Sequence, residues 1–212
     1  MAKPTYHHGD LRRALLTAVE EAITENGVAT LSMRDLARRA GVSHTAPTHH
    51  FRDRAGLLTA FATEGFEQLA KALGTSRLAS NSLVELGVTY IRFAVAKRAM
   101  FEVMFRTDLY HADDPGLLAA RAKAADALYA AVLDLSDGTP APVGGFAHPG
   151  RSVQPGTAET APPDVRNAGL AAWSMAHGFA TLWLTGAFPD RGVDPAEAAR
   201  HLFTELGREH TP

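Results

Sequence analysis

Residues 31–58 read Leu-Ser-Met-Arg-Asp-Leu-Ala-Arg-Arg-Ala-Gly-Val-Ser-His-Thr-Ala-Pro-Thr-His-His-Phe-Arg-Asp-Arg-Ala-Gly-Leu-Leu. Ser32 followed by Asp35 has the form of a capping box, which predicts the start of a short helix. Leu36, Ala37 and Ala40 give that helix a small apolar face. Gly41 supplies the positive φ of a sharp turn, with Val42 packed under it. Ser43 is then placed to cap a second short helix, His44 to Phe51. Two short helices joined by a tight Gly-containing turn make a helix-turn-helix, and Ala37 is small enough to allow the close crossing. The second helix offers His44, Thr45, Thr48 and His49, short polar groups suited to base edges and phosphates in a major groove. The same arrangement also serves as an ordinary structural corner, so the surrounding sequence has to decide between the two.

Upstream, Leu11, Leu15, Ala18, Val19, Ala22 and Ile23 recur on one helical face. Asp10 is placed to cap this helix, and Asn26-Gly27 to close it in a left-handed turn. Charge is unevenly distributed. Residues 1–54 carry 8 Lys/Arg against 6 Asp/Glu, whereas residues 55–212 carry 13 against 17. Five of the ten histidines, His7, His8, His44, His49 and His50, lie in the first segment. A basic, His-rich head on an acidic body suits a chain whose head meets phosphates.

Taken in order, Tyr6-His7-His8-Gly9-Asp10-Leu11, Leu31-Ser32-Met33-Arg34-Asp35-Leu36-Ala37, Ala40-Gly41-Val42-Ser43 and His50-Phe51-Arg52-Asp53-Arg54 with Leu57-Leu58 resemble the tetracycline-repressor (TetR) family over residues 6–70. The resemblance implies an all-α protein: a three-helix DNA-binding head, a long connecting fourth helix, and a helical body for ligand binding and dimerisation. The implied partners are double-stranded operator DNA, a small-molecule effector and a second copy of the chain. Arg34 and Arg54 stand where the family directs side chains toward DNA. With Ser32, Ser43, His44, Thr45, Thr48, His49 and His50 they form the expected DNA-binding set. The chain departs from the family at Thr48, where many members carry a Tyr that touches the DNA backbone. His49 and His50 are expected to supply the missing phosphate contacts, more strongly when protonated. Trp173-Ser174-Met175-Ala176-His177-Gly178 is similar to the Trp…His-Gly signature of one C-terminal subgroup of the family.

The expected organisation is a head over residues 1–54 and a body over 55–212. Residues 136–164, rich in Pro, Gly, Ser and Thr and without periodicity, read as a long flexible connection. Helices are predicted from Leu57 to Leu73, Leu83 to Ala96 and Leu117 to Leu135. Phe93, Met100, Met104, Phe105, Tyr110, Trp173 and His177 are the candidate effector-lining residues, which makes the expected ligand small and largely hydrophobic. Met and aromatic stripes at this spacing also build ordinary cores. Trp173 and His177 share a helix face, so a stacked core pair is the competing account.

Asn167 to Pro189 contains no Asp, Glu, Lys or Arg. A helix apolar on all sides is expected to be buried on all sides, one face against its own body and one against a symmetry mate. A membrane span is disfavoured because Gly169, Ser174, His177, Gly178, Thr181 and Gly186 dilute the apolar character. The final helix, Pro195 to Leu206, is amphipathic through Ala198, Leu202, Phe203 and Leu206, and the last two helices are expected to form a four-helix dimer interface.

The remaining features narrow the class. Cysteine is absent from the 212 residues, which excludes disulfides and cysteine-based metal sites or nucleophiles and fits a cytoplasmic protein. Met1-Ala2-Lys3-Pro4 is followed by no apolar run, so a secretory leader is not expected. Adjacent His7 and His8 share no helix face, and neither a metal nor a cofactor is expected. No zinc-protease, nucleophile-elbow, phosphate-loop or dinucleotide pattern is present, so the chain is not expected to be an enzyme. Tyr110-His111-Ala112-Asp113-Asp114 gathers acid and imidazole, but an Asp before Pro115 reads as a helix cap. The expected function is a ligand-responsive repressor that binds a near-palindromic operator as a dimer. A helical enzyme or interaction protein without DNA binding is the alternative.

Overall fold

The computed structural model describes residues 8–80, 82–136, 156–188 and 192–208. Among them are ten α-helices and no strand: α1 (His8–Asn26), α2 (Met33–Arg39), α3 (Ala46–Phe51), α4 (Arg54–Ser80), α5 (Leu83–Ala96), α6 (Arg98–Met104), α7 (Pro115–Ser136), α8 (Thr157–Thr160), α9 (Pro163–Thr185) and α10 (Pro195–Arg208). The fold is all-α. The chain divides into two compact units, Met1–Gly65 with Arg98–Leu118, and Phe66–Lys97 with Ala119–Pro212.

In the first unit α1 buries Leu15, Leu16, Ala18, Val19, Ala22 and Ile23. The side chain of Asp10, the expected cap, lies outside the described residues. α1 stops before Gly27, whose φ of 75° few other residues adopt. α2 places Leu36 and Ala37 in the core. It is fastened to α1 by Arg39, whose Nε donates to Asp35 at 2.7 Å while its two terminal nitrogens donate to Glu25 at 3.0 and 2.6 Å. Arg38 donates to the other Asp35 oxygen at 2.6 Å. The capping box anticipated at Ser32 therefore does not form: Ser32 sits at the N-cap but its hydroxyl makes no cap bond. Charge-assisted bonds to two guanidiniums hold Asp35 instead.

Gly41 adopts φ 66° at the turn, as its position predicts. The helix after it begins at Ala46 rather than His44, and Ser43 is not its cap. Pro47 explains the shift. A start at His44 would set Pro47 at the fourth helical position, without the N–H needed there and with its ring against the Ser43 carbonyl. Starting at Ala46 puts it at the second position, where no donor is required. At the far end Arg52 takes φ 67°, which is unusual away from glycine. The Asp53 carboxylate accepts from Gly56 N–H at 2.7 Å and so opens α4. Gly56 is dictated by close approach, since a Cβ there would lie 2.1 Å from the Phe51 carbonyl oxygen. α6 joins this unit, with Met100 and Met104 packed against Gly65 of α4; a Cβ at Gly65 would lie 2.6 Å from the Met104 sulfur.

In the second unit α5 is capped by Ser82, whose hydroxyl accepts from Glu85 N–H at 3.3 Å. α10 crosses α5 closely: a Cβ on Gly87 would lie 2.7 Å from the Phe203 ring. Likewise a Cβ on Gly169 of α9 would lie 2.5 Å from the Tyr129 ring of α7. The buried Arg77 guanidinium pairs with Asp134 at 2.6 Å. Part of the connection expected to be structureless is helical. The buried Asp126 carboxylate accepts from Gly156 and Ala158 N–H at 3.0 and 2.9 Å and so caps α8, and α9 begins at Pro163. Residues 137–155 of that connection lie outside the described residues.

Candidate functional site

The helix-turn-helix surface is assembled from α2, the Gly41 turn and α3. Ser32, Arg34, Ser43, His44, Thr45, Thr48, His49 and His50 are all exposed. Their exposure follows from the burial of Leu36, Ala37, Pro47 and Phe51, which leaves the intervening side chains pointing outward. The Ser43 hydroxyl lies 3.2 Å from that of Thr45, which ties the turn to the foot of α3. The His50 ring leans on Phe51 at 6.2 Å between centroids. Residues 36–52 contain three arginines and three histidines and no Asp or Glu, so nothing within this stretch repels a phosphate. Arg34 has no ion-pair partner among the described residues.

Arg54 behaves differently from the rest of the expected set. Its Nη2 donates to the Val28 carbonyl at 2.6 Å, and its Nε is buried without a hydrogen-bond partner among the described residues. The guanidinium thus fastens the first turn of α4 to the loop after α1, and its geometry is that of a positioning residue.

The seven candidate effector-lining residues fall into both units. Met100, Met104 and Tyr110 are buried in the first, with Phe105 half-buried beside Phe101 at 5.0 Å between rings. The Tyr110 hydroxyl donates to the Met104 carbonyl at 2.7 Å, which closes the loop after α6. Next to it, His111 N–H donates to the Thr59 hydroxyl, and the His111 ring lies 3.8 Å from Asp53. Asp114 caps α7 by accepting from Leu117 N–H at 2.9 Å, so the acid and imidazole cluster is a helix start.

In the second unit Phe93 is buried, and Trp173 and His177 meet on α9 with rings 5.9 Å apart. Between them sits Tyr90 of α5, a residue the sequence reading did not single out. Its hydroxyl is 2.9 Å from His177 Nδ1 and accepts a hydrogen bond from the Trp173 side chain. The hydroxyl and Nδ1 share one hydrogen bond, in which either atom donates according to the imidazole tautomer. Burial pushes the Tyr90 phenol up and the His177 imidazolium down. The three side chains form a polar cluster that runs from the buried Tyr90 to the exposed Trp173. The sequence held one signal for Tyr90: it lies three residues past Gly87 and one before Ile91, on the inward face of α5.

The two sides of α9 differ. Val165, Gly169, Ala176, Phe179 and Ala180 are buried, but Leu170, Trp173 and Leu182 are 52%, 41% and 47% exposed. The expectation that both faces of this helix are covered thus holds within the chain for one face only. No described helix is long and apolar enough to cross a membrane.

Comparison with known proteins agrees with this architecture. The model of the tetR family of bacterial regulatory proteins matches residues 15–61, and that of the tetracyclin repressor-like C-terminal domain matches residues 83–206. A protein of unknown function from Rhodococcus sp. RHA1 is 30% identical, with 98% of each chain covered and a TM-score of 0.74. The TetR family regulator PfmR of Thermus thermophilus is 20% identical, covers 93% of this chain and 99% of its own, and has a TM-score of 0.64, which speaks for the fold. The HTH-type transcriptional regulator BetI of Escherichia coli is 44% identical over 62 residues, 29% of this chain and 32% of BetI. The match thus spans about a third of that curated relative. The chain belongs to the tetracyclin-repressor family of bacterial regulatory proteins.

Proposed function

We propose that the protein is a dimeric transcriptional repressor that grips a near-palindromic operator through α3 and releases it when a small, largely hydrophobic molecule binds the second unit. The observation that carries the reading is the exposed, acid-free surface of His44, Thr45, Thr48, His49 and His50 on the helix-turn-helix, with the exposed Arg34 on α2. Short polar side chains on a helix narrow enough for the major groove read base edges, while Arg34, Ser32 and Ser43 hold the backbone. Arg54 contributes by positioning α4.

The exposed side of α9 supports the dimer. Leu170, Met175 and Leu182 surround a line of small residues, Ala171, Ser174 and Gly178, which lets a second helix approach closely. Leu202 and Leu206 of α10 are exposed as well. A face of this kind with no charge from Asn167 to Phe188 suits a second copy of itself.

The effector reading rests on Trp173, His177 and Tyr90, and it keeps the body with the Trp-His-Gly subgroup. A neutral imidazole is a hydrogen-bonding group for an uncharged polar ligand, beside an indole that offers apolar area. Met100, Met104, Phe105 and Tyr110, packed in the first unit, then transmit rather than touch. Selection of bound duplexes from a random pool tests the proposal. A two-fold consensus is expected, with half-sites about one helical turn apart. Recovery of unselected DNA would leave the helix-turn-helix as a structural corner.

A further inference from the structure

We propose that the recognition surface takes up protons as it binds DNA, with His44, His49 and His50 acting as cations that are switched on by the duplex itself. The inference rests on the DNA-binding reading above and adds a charge state to it. All three imidazoles are exposed and lie within seven residues of one another, on the turn before α3 and on α3. An imidazole exchanges its charge between about pH 5 and pH 8, and a nearby phosphate favours the charged form. A phosphate brought beside exposed imidazoles therefore adds positive charge to the surface that meets it.

Charged groups of both signs surround α3. On α2, which packs against α3, Arg34 adds positive charge, while Asp35 is taken up by Arg38 and Arg39. On α1, Glu25 is held by Arg39. After α3 come Arg52 and then Asp53, whose carboxylate caps α4 and faces His111. Arg54 is bonded to the Val28 carbonyl. Further along α4, Glu64 faces Arg12 at 3.7 Å. The nearby carboxylates thus each have a basic partner or a cap to serve, and none lies between residues 36 and 52.

The linkage has a definite sign. Protons bound on complex formation make affinity rise as pH falls, about tenfold per pH unit for each proton taken up. Each histidine that becomes a phosphate-paired cation also steepens the dependence of log K on log salt by about 0.9.

The test is the affinity of the full chain for a mixed-sequence duplex, measured by fluorescence anisotropy between about pH 5 and pH 8 at several salt concentrations. Wild type should bind more tightly and with a steeper salt slope at the acid end. The variant His44→Gln, His49→Gln, His50→Gln should bind with one slope at every pH. His177 and His201, which it retains, serve as internal controls for general titration. His49→Gln alone should lose about one proton of linkage, and it answers the question should the triple variant misfold. Affinity that is flat or falls toward acid in wild type overturns the inference, because it makes the histidines neutral readers of base edges. A triple variant with the wild-type pH slope overturns it too, by placing the protons elsewhere. A wild type that binds no duplex at either end of the range defeats the DNA-binding reading, and this inference with it.

Discussion

The surface of α3 and the outward side of α9 are both exposed, and they are opposites in chemistry. The first carries His44, Thr45, Thr48, His49 and His50 and no acid. The second carries Leu170, Trp173, Leu182 and a line of small residues, with no charge from Asn167 onward. Water solvates the first without penalty, so it can wait uncovered for an intermittent polyanion. The second leaves contiguous apolar area in water, which a soluble domain seldom tolerates without a partner. Exposure alone therefore says little about function; the chemistry left exposed separates a surface suited to a polyanion from one suited to an apolar partner.

The sharpest way to break this comparison is to charge the two sides of α9 separately. Ala180 is 0% exposed and Thr181 is on the surface. Ala180→Glu buries an unpaired carboxylate in the second unit, and is expected to cost more than about 3 kcal/mol and to unfold it, as read by loss of helical circular dichroism. Thr181→Glu should keep its helicity and sediment as a monomer. A folded Ala180→Glu chain would show that α9 has been assigned its faces wrongly. A dimeric Thr181→Glu chain would move the interface off α9.

A matching pair divides the head. Arg54→Ala removes a charged donor from the Val28 carbonyl and should cost about 1.5–3 kcal/mol in urea denaturation. Arg34→Ala should leave stability untouched and lower the salt slope of DNA binding by about one. Equal effects of the two on the salt slope would place both guanidiniums at the duplex.

These arginines also mark how far the sequence was legible. Both sit at helix starts, and the sequence assigns them one role. Only the three-dimensional course of the loop after α1 brings the Val28 carbonyl within 2.6 Å of Arg54 and turns it inward. Periodicity located α5 to the residue, because Ser82 caps it and Lys97 ends it. It cut α4 short at Leu73, although the helix runs through Gly74 to Ser80. A single glycine in a long helix costs about 1 kcal/mol, too little to end it. Ser32 and Ser43 looked like caps, but capping depends on whether a stronger partner claims the nearby acid or a proline moves the helix start. Tyr90 was invisible for a related reason: its importance comes from what α9 brings to it, and periodicity sees only one helix at a time.

Two glycines of α9 give a smaller and signed contrast. Gly169→Ala drives a Cβ into the Tyr129 ring and is expected to destabilise the second unit by about 1–3 kcal/mol. At Gly178 an added Cβ meets nothing within 4 Å. Gly178→Ala should instead raise the stability of the monomer by up to about 1 kcal/mol, through helix propensity. Thermal denaturation at low protein concentration separates the two. If Gly178→Ala also weakens dimerisation, the small-residue line is where two copies of α9 cross.

The smallest expected effect belongs to the Glu25–Arg39–Asp35 cluster, which fastens α2 to α1 but lies in water. Arg39 holds both carboxyl groups below the usual carboxylate range, by hydrogen bonds that favour their charged forms. A lowered folded-state value means that the contribution to stability is present at neutral pH and is lost as acid protonates the folded carboxylates. Glu25→Gln should therefore lower the denaturation midpoint slightly at about pH 7 and not at all at about pH 2. It should also matter less in about 1 M salt, which screens exposed charges within a few ångströms. Dimerisation through the charge-free stretch of α9 after Arg166 should show no such loss in salt, since apolar burial is not screened. A dimer that dissociates as salt rises would mean that charged residues outside α9 hold the two copies together. An acid-insensitive difference between Glu25→Gln and wild type would assign the effect of Glu25 to packing along the Arg39 side chain instead of to its charge.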